Sequence, residues 1–132
     1  MASYNKFTPA IATLLGSINT GTDSWVIKLA TAVNQSAGTI TEVASGNGYT
    51  TGGNAATTAS ATQTGGTYKL VLNSPTAWTA TGAGFSFQYA VLVDSTTSTN
   101  VGYWDYGSSQ AVAAGETVTV TLDGTNGVFQ AT

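Results

Sequence analysis

The sequence predicts a mainly β domain: an antiparallel β-sandwich or jelly-roll-like fold of about eight strands, with one short N-terminal helix. A partly closed barrel fits the same pattern. Three observations predict it. The chain carries 25 threonines, which favour strands, and 16 glycines, which with asparagine favour turns. Apolar residues alternate with polar ones in several short runs. Turn signals separate those runs. At 132 residues the chain is most simply one β domain spanning residues 1–132.

The elements follow in order. Residues 1–6 have no core role in the pattern and are expected to form a flexible arm. Residues 7–18, FTPAIATLLGSI, place Phe7, Ile11, Leu14, Leu15 and Ile18 at helical spacing. Thr8 is the expected cap, Pro9 suits the first helical position, and Gly16 or Gly21 ends the helix. SWVIKLAT (Ser24–Thr31) alternates Trp25, Ile27 and Leu29 against Val26 and Lys28, which predicts a strand. ITEVA, inside the weakly patterned Val33–Ser45, reads as a short strand or a helical turn. SGNGYTTGGN (Ser45–Asn54) has four glycines and two asparagines in ten residues and reads as a loop.

Ala55–Gln63 and Thr67–Asn73 flank Gly65-Gly66 and predict a hairpin, with Tyr68, Leu70 and Leu72 on one face. Ser74-Pro75 then punctuates the chain before AWTA, which carries Trp78. FSFQYAVLV (Phe85–Val93) is the most apolar strand, with Phe85, Phe87, Tyr89, Val91 and Val93 expected inward. Leu92 breaks that alternation, which points to burial on both faces at that end. DSTTSTN (Asp94–Asn100) is a polar hairpin loop, and VGYWDYG returns from it. VTVTLD (Val118–Asp123) alternates cleanly, DGTNG turns, and Val128–Gln130 closes the fold. Asn126-Gly127 is expected to supply the positive φ angles of that turn.

Composition excludes whole classes of function. The chain has no His and no Cys, which removes Ser-His-Asp and Cys-His nucleophilic mechanisms, ordinary zinc sites and disulfides. No P-loop is present, and GAGFSF lacks the third glycine and strand-to-helix setting of a dinucleotide fingerprint. The net charge is -3, and Lys6, Lys28 and Lys69 lie far apart, so no phosphate-binding patch forms and nucleic acid is not an expected partner. No basic amphipathic face suits a membrane surface, and no apolar run reaches the ~20 residues of a bilayer span. Thr13, Gly16 and Ser17 interrupt the apolar stretch after Lys6, so it is not read as a signal peptide.

The six acids are Asp23, Glu42, Asp94, Asp105, Glu116 and Asp123. Four sit at turns or strand ends, where Asp normally caps, and no pair is placed for acid–base work. DGTNG offers only Asp123 and Asn126 toward a calcium loop, so a hairpin turn is the better reading. No cofactor, no metal and no catalytic residue is expected, and the chain is not read as an enzyme. Only 7% of residues are charged, against about 25% in an ordinary soluble protein. A surface of Thr, Ser, Gly and Ala suits lasting contact with other protein, because long charged side chains cost entropy to immobilise.

VGYWDYGSS (Val101–Ser109) gathers three aromatics around Asp105. Strand parity puts Tyr103 and Asp105 on one face and Trp104 and Tyr106 on the other. A sugar platform needs its aromatics on one exposed face, so this run reads first as a packed strand.

Five runs, in order, carry a resemblance: SYNKF, GNGYTTGGNAATT, GTYKLVL with AWTATG, YWDYGS and GETVTVTLDGTNGV. Together they cover most of the chain and resemble a group of small virion structural proteins of tailed phages. The resemblance implies a capsid decoration (cement) protein located in the virion. Its implied partners are the major capsid protein and its own copies, with a trimer favoured. It carries over no catalytic residue, and it does not extend to Asn34–Glu42 or Asp94–Asn100. The alternative is a tail or fibre component that recognises host glycans. The candidate contact residues are Tyr4 and Lys6 in the arm, Tyr49 in the glycine-rich loop, Trp78, Tyr103 and Trp104.

Overall fold

The computed structural model describes residues 2–132; Met1 and the side chains of Ile11, Leu14 and Leu15 lie outside the described residues. The fold is mainly β and antiparallel throughout, as expected, with eleven strands among the described residues rather than about eight. β10 (Thr117–Val118) is what remains of the strand expected over Val118–Asp123, while β4 (Asn54–Ala55) and β7 (Trp78–Thr79) are extra strands of two residues each. Runs that brief have too little alternation to be legible as strands.

The main sheet has the order β1 (Ser3–Lys6), β9 (Thr99–Val112), β8 (Phe85–Asp94), β2 (Trp25–Asn34), β3 (Thr39–Glu42). β4 pairs with β2 at Val26 and Ile27, on the edge that β3 occupies further along. A second sheet has the order β11 (Phe129–Ala131), β6 (Thr67–Leu72), β5 (Thr58–Thr64). β7 and β10 form a third, two-stranded ribbon.

The sandwich core lies between the main sheet and these smaller sheets. Trp25, Ile27 and Leu29 of β2, with Phe87 and Leu92 of β8, meet Leu70 and Leu72 of β6 and Trp78 of β7. Burying each of Ile27, Leu29, Leu70 and Leu92 stabilises by about 1.5–3 kcal/mol before entropy is counted. The predicted alternation of VTVTLD holds in burial: Val118, Val120 and Leu122 are buried and Thr117, Thr119 and Thr121 exposed. Only Thr117 and Val118 make ladder pairs.

The opposite face of the main sheet has a second, smaller cluster. Phe7, Ala10, Ala30, Val91, Val93 and Tyr103 pack there. The single-face expectation for Phe85–Val93 is therefore corrected. The β8–β9 register slips between Phe87 and Tyr89. The slip sends Phe87, Ala90 and Leu92 to the sandwich core and Val91 and Val93 to the second cluster. Double-sided burial, suspected only at Leu92, extends over much of the strand.

The N-terminus also differs from expectation. Ser3–Lys6 is not an arm but the edge strand β1, paired with Asp105–Gly102. The helix expected over 7–18 is reduced to α1 (Ala10–Gly16). Its N-cap is Pro9 and makes no side-chain cap bond, so Thr8 does not cap it; the Thr8 N–H instead donates to the Gln35 carbonyl at 3.0 Å. The apolar stripe expected at Ile11, Leu14 and Leu15 rests on side chains outside the described residues. Phe7 and Ile18 flank the helix and pack into different clusters.

Candidate functional site

Strand β9 organises the aromatic end of the molecule. The predicted parity holds. Tyr103 lies opposite Val91 and packs against Phe7 and Tyr89, with ring centroids 5.1 and 5.7 Å away. Trp104 lies opposite Ala90, on the sandwich face, and is half-buried at its rim. Asp105 accepts hydrogen bonds from Gln88 Nε2 at 3.1 Å and the Gly107 N–H at 2.8 Å. It is a turn and strand anchor.

Tyr4 of β1 pairs in register with Trp104, their rings 5.1 Å apart. Its hydroxyl end lies across Gly102, where any Cβ would run into the ring. An aromatic laid over a strand glycine near a sheet edge replaces the packing that glycine lacks. Desolvation pushes the Tyr4 hydroxyl up to about 12, although the residue as a whole is 40% exposed. Tyr4 and Trp104 open onto a cleft of about 280 Å³, with Leu122, Asp123, Gly127 and Val128 on its other side. Asp123 belongs to its own turn: its carboxylate accepts from the N–H groups of Asn126 and Thr125, which hold it below the usual carboxylate range. Gly127 takes the positive φ of this turn; Asn126 does not.

Beyond Asp105, β9 bulges. Asp105 faces Tyr89 and Gln110 faces Phe87, so Tyr106–Ser109 stand opposite Gln88 alone. The excursion lifts Tyr106 outward, 38% exposed, with its ring against Phe87 at 5.3 Å. Tyr106 was not among the expected contact residues. The signal was the Gly107-Ser108-Ser109 run, because a glycine inside a strand often marks a bulge.

The expected contact residues therefore separate. Tyr4, Lys6 and Trp104 share the β1–β9 end, and the Lys6 carbonyl is held by Gln35 Nε2 at 2.8 Å. Tyr49, Trp78 and Tyr103 are corrected to core residues, at 2%, 3% and 8% exposure. Tyr49 lies in the expected loop, but the loop folds back over the sandwich. Its ring stacks on Trp78, its hydroxyl accepts the Leu29 N–H at 3.1 Å, and it donates to Glu42 Oε1 at 2.7 Å. Burial, then the Glu42 carboxylate, raise the Tyr49 hydroxyl well above its ordinary value. Glu42 also accepts the Gly52 N–H at 2.6 Å and pairs with Lys28 at 3.5 Å. Gly53, at φ 71°, passes so close to the Ile27 carbonyl that no Cβ fits.

The second exposed feature is β5. Six of its seven residues are exposed, and Ala61 alone turns toward the core. With β11 it is one of the two outer strands of its sheet, so its outer backbone groups face away from β6. It carries no charge and no proline. Among the described residues, no group of three or more acids stands together to hold a metal ion. No protein-family model, no curated protein and no solved structure matches the chain.

Proposed function

We propose that this chain is a structural protein of a tailed-phage virion, a decoration protein that binds the outer capsid surface and stabilises the shell through protein contacts. The observation that carries the reading is the bare edge of β5: seven residues, TASATQT, uncharged and almost wholly exposed. Free-standing β proteins blunt such edges with Lys, Pro or a cover, because an open edge templates pairing with another chain. A protein that works in an assembly uses the edge for strand addition, with backbone hydrogen bonds giving affinity. The charge-poor, threonine-rich surface and the five sequence runs that resemble phage virion proteins support the same reading. Its partners are then the major capsid protein and its own copies, as a trimer. The test is addition of purified protein to capsid shells that lack it. Shells that bind it and resist heat or low salt better support the proposal; shells that ignore it contradict it.

One observation favours a second reading, a tail or fibre part that recognises a glycan. Exposed Tyr4 and half-buried Trp104 share a cleft of sugar size. Tryptophan emission that shifts on titration with a glycan panel supports this reading, and emission indifferent to the panel removes it.

A further inference from the structure

Among the described residues, Asp94 is the one charged residue in the core: its exposure is 0%. It ends β8, in register with Trp25 on one side and Thr99 on the other. Its Oδ1 accepts the N–H groups of Thr96 and Thr97 at 2.8 and 3.1 Å. Its Oδ2 is buried and has no hydrogen-bond partner among the described residues. The segment that closes over it is Asn19–Ser24. The Ser24 N–H donates to Thr96 Oγ1 and the Ser24 carbonyl accepts the Ser95 N–H, each at 2.9 Å. This brings the Asp23 side chain against Asp94. Asp23 is itself held by the Asn19 N–H, which donates to its Oδ2 at 2.9 Å.

Two carboxylates facing each other supply acceptors and no donor. A buried acceptor left unpaired costs about 1–3 kcal/mol, more for a charged group. We propose that Asp23 and Asp94 share one proton, and that this carboxylic acid–carboxylate bridge latches segment 19–24 onto the Asp94–Thr99 hairpin. Among the described residues, Asp23 is the one charged group acting on Asp94; β9 presents Thr99, and the hairpin presents the amides of Thr96 and Thr97. Burial, and secondarily Asp23, raise the Asp94 carboxyl above the ordinary carboxylate range, against the lowering effect of those amides. A group raised in the folded state contributes stability that is full below its unfolded pKa and is lost as pH rises through the folded value. The latch is therefore tighter in mild acid.

The test compares melting midpoints of wild type, Asp94→Asn and Asp23→Asn between about pH 7.5 and about pH 5. Wild type is expected to gain midpoint on acidification. Asp94→Asn keeps the acceptor for Thr96 and Thr97 and supplies a permanent donor to Asp23, so that gain disappears. Parallel profiles in wild type and Asp94→Asn overturn the proposal. So does a calcium-dependent rise of the wild-type midpoint that Asp94→Asn lacks, since a cation would then occupy the bridge. Infrared spectra of the wild type provide a readout independent of folding in the variants: a protonated carboxyl band persisting at pH above the ordinary carboxylate range is expected, and its absence refutes the shared proton.

Discussion

Tyr49 and Trp104 show at the residue scale how far an aromatic can be placed from its neighbours in sequence. Trp104 follows strand parity, on the opposite face from Tyr103, and the structure makes that face the sandwich side, which parity alone left open. Tyr49 sits among glycines that predict an exposed loop, and it is nonetheless core. Nothing local signals this, because the cause is a gap in a distant ladder. β4 pairs with β2 at Val26 and Ile27, and the pairing of β2 with β3 begins at Ala30. The Leu29 N–H between them would lack an acceptor without the Tyr49 hydroxyl. Tyr49→Phe strands that N–H and one Glu42 bond, so it is expected to cost about 1–3 kcal/mol in chemical denaturation. A loss within error would mean that the hydroxyl is dispensable. Trp25 and Trp78 are buried and Trp104 is half-buried. Acrylamide should therefore quench Trp104 selectively, and Trp104→Phe should remove most of the quenchable emission. Unchanged quenching in that variant would move Trp104 into the core.

Strands, hairpins and turns were largely legible where a period of two persists for five residues or more. β2, β6, β8 and the hairpin of β5 with β6 lie close to their expected spans. Parity across β8 was not legible, because a register slip leaves no mark in the apolar run Phe85–Val93. β1 was missed for another reason: SYNK buries little, and its place is set by β9. The Tyr4–Gly102 contact is what seats this strand. Gly102→Ala forces the ring off its seat and is expected to cost about 1–3 kcal/mol by overpacking. Hydrogen exchange should locate the damage, with faster exchange in Ser3–Lys6 and little change in β2 and β8. Uniform acceleration would show that β1 is not a separable edge.

The whole molecule is a sheet with an apolar cluster on each face, and its unpaired edges are β1, β3 and β4 in the main sheet, β5 and β11 in the second, and both strands of the β7–β10 ribbon. β3 has Glu42 and β1 has Lys6; of the uncharged edges, β5 is the longest at seven residues, against three in β11 and two each in β4, β7 and β10. That contrast ties the architecture to the proposed role, since charge on an edge strand discourages pairing. Ser60→Lys with Thr64→Lys places two charges on exposed β5 positions that face Val71 and Thr67 rather than Lys69, where substitutions usually stay within about 0.5 kcal/mol. The fold should survive while strand addition fails. The most direct measurement is saturation binding of both proteins to capsid shells that lack the chain, read as copies retained per shell after sedimentation. Wild type is predicted to saturate at hundreds of copies, and the double-lysine variant to be lost from the pellet. Wild type that stays in the supernatant, or saturates at a handful of copies, would contradict the assignment to the shell.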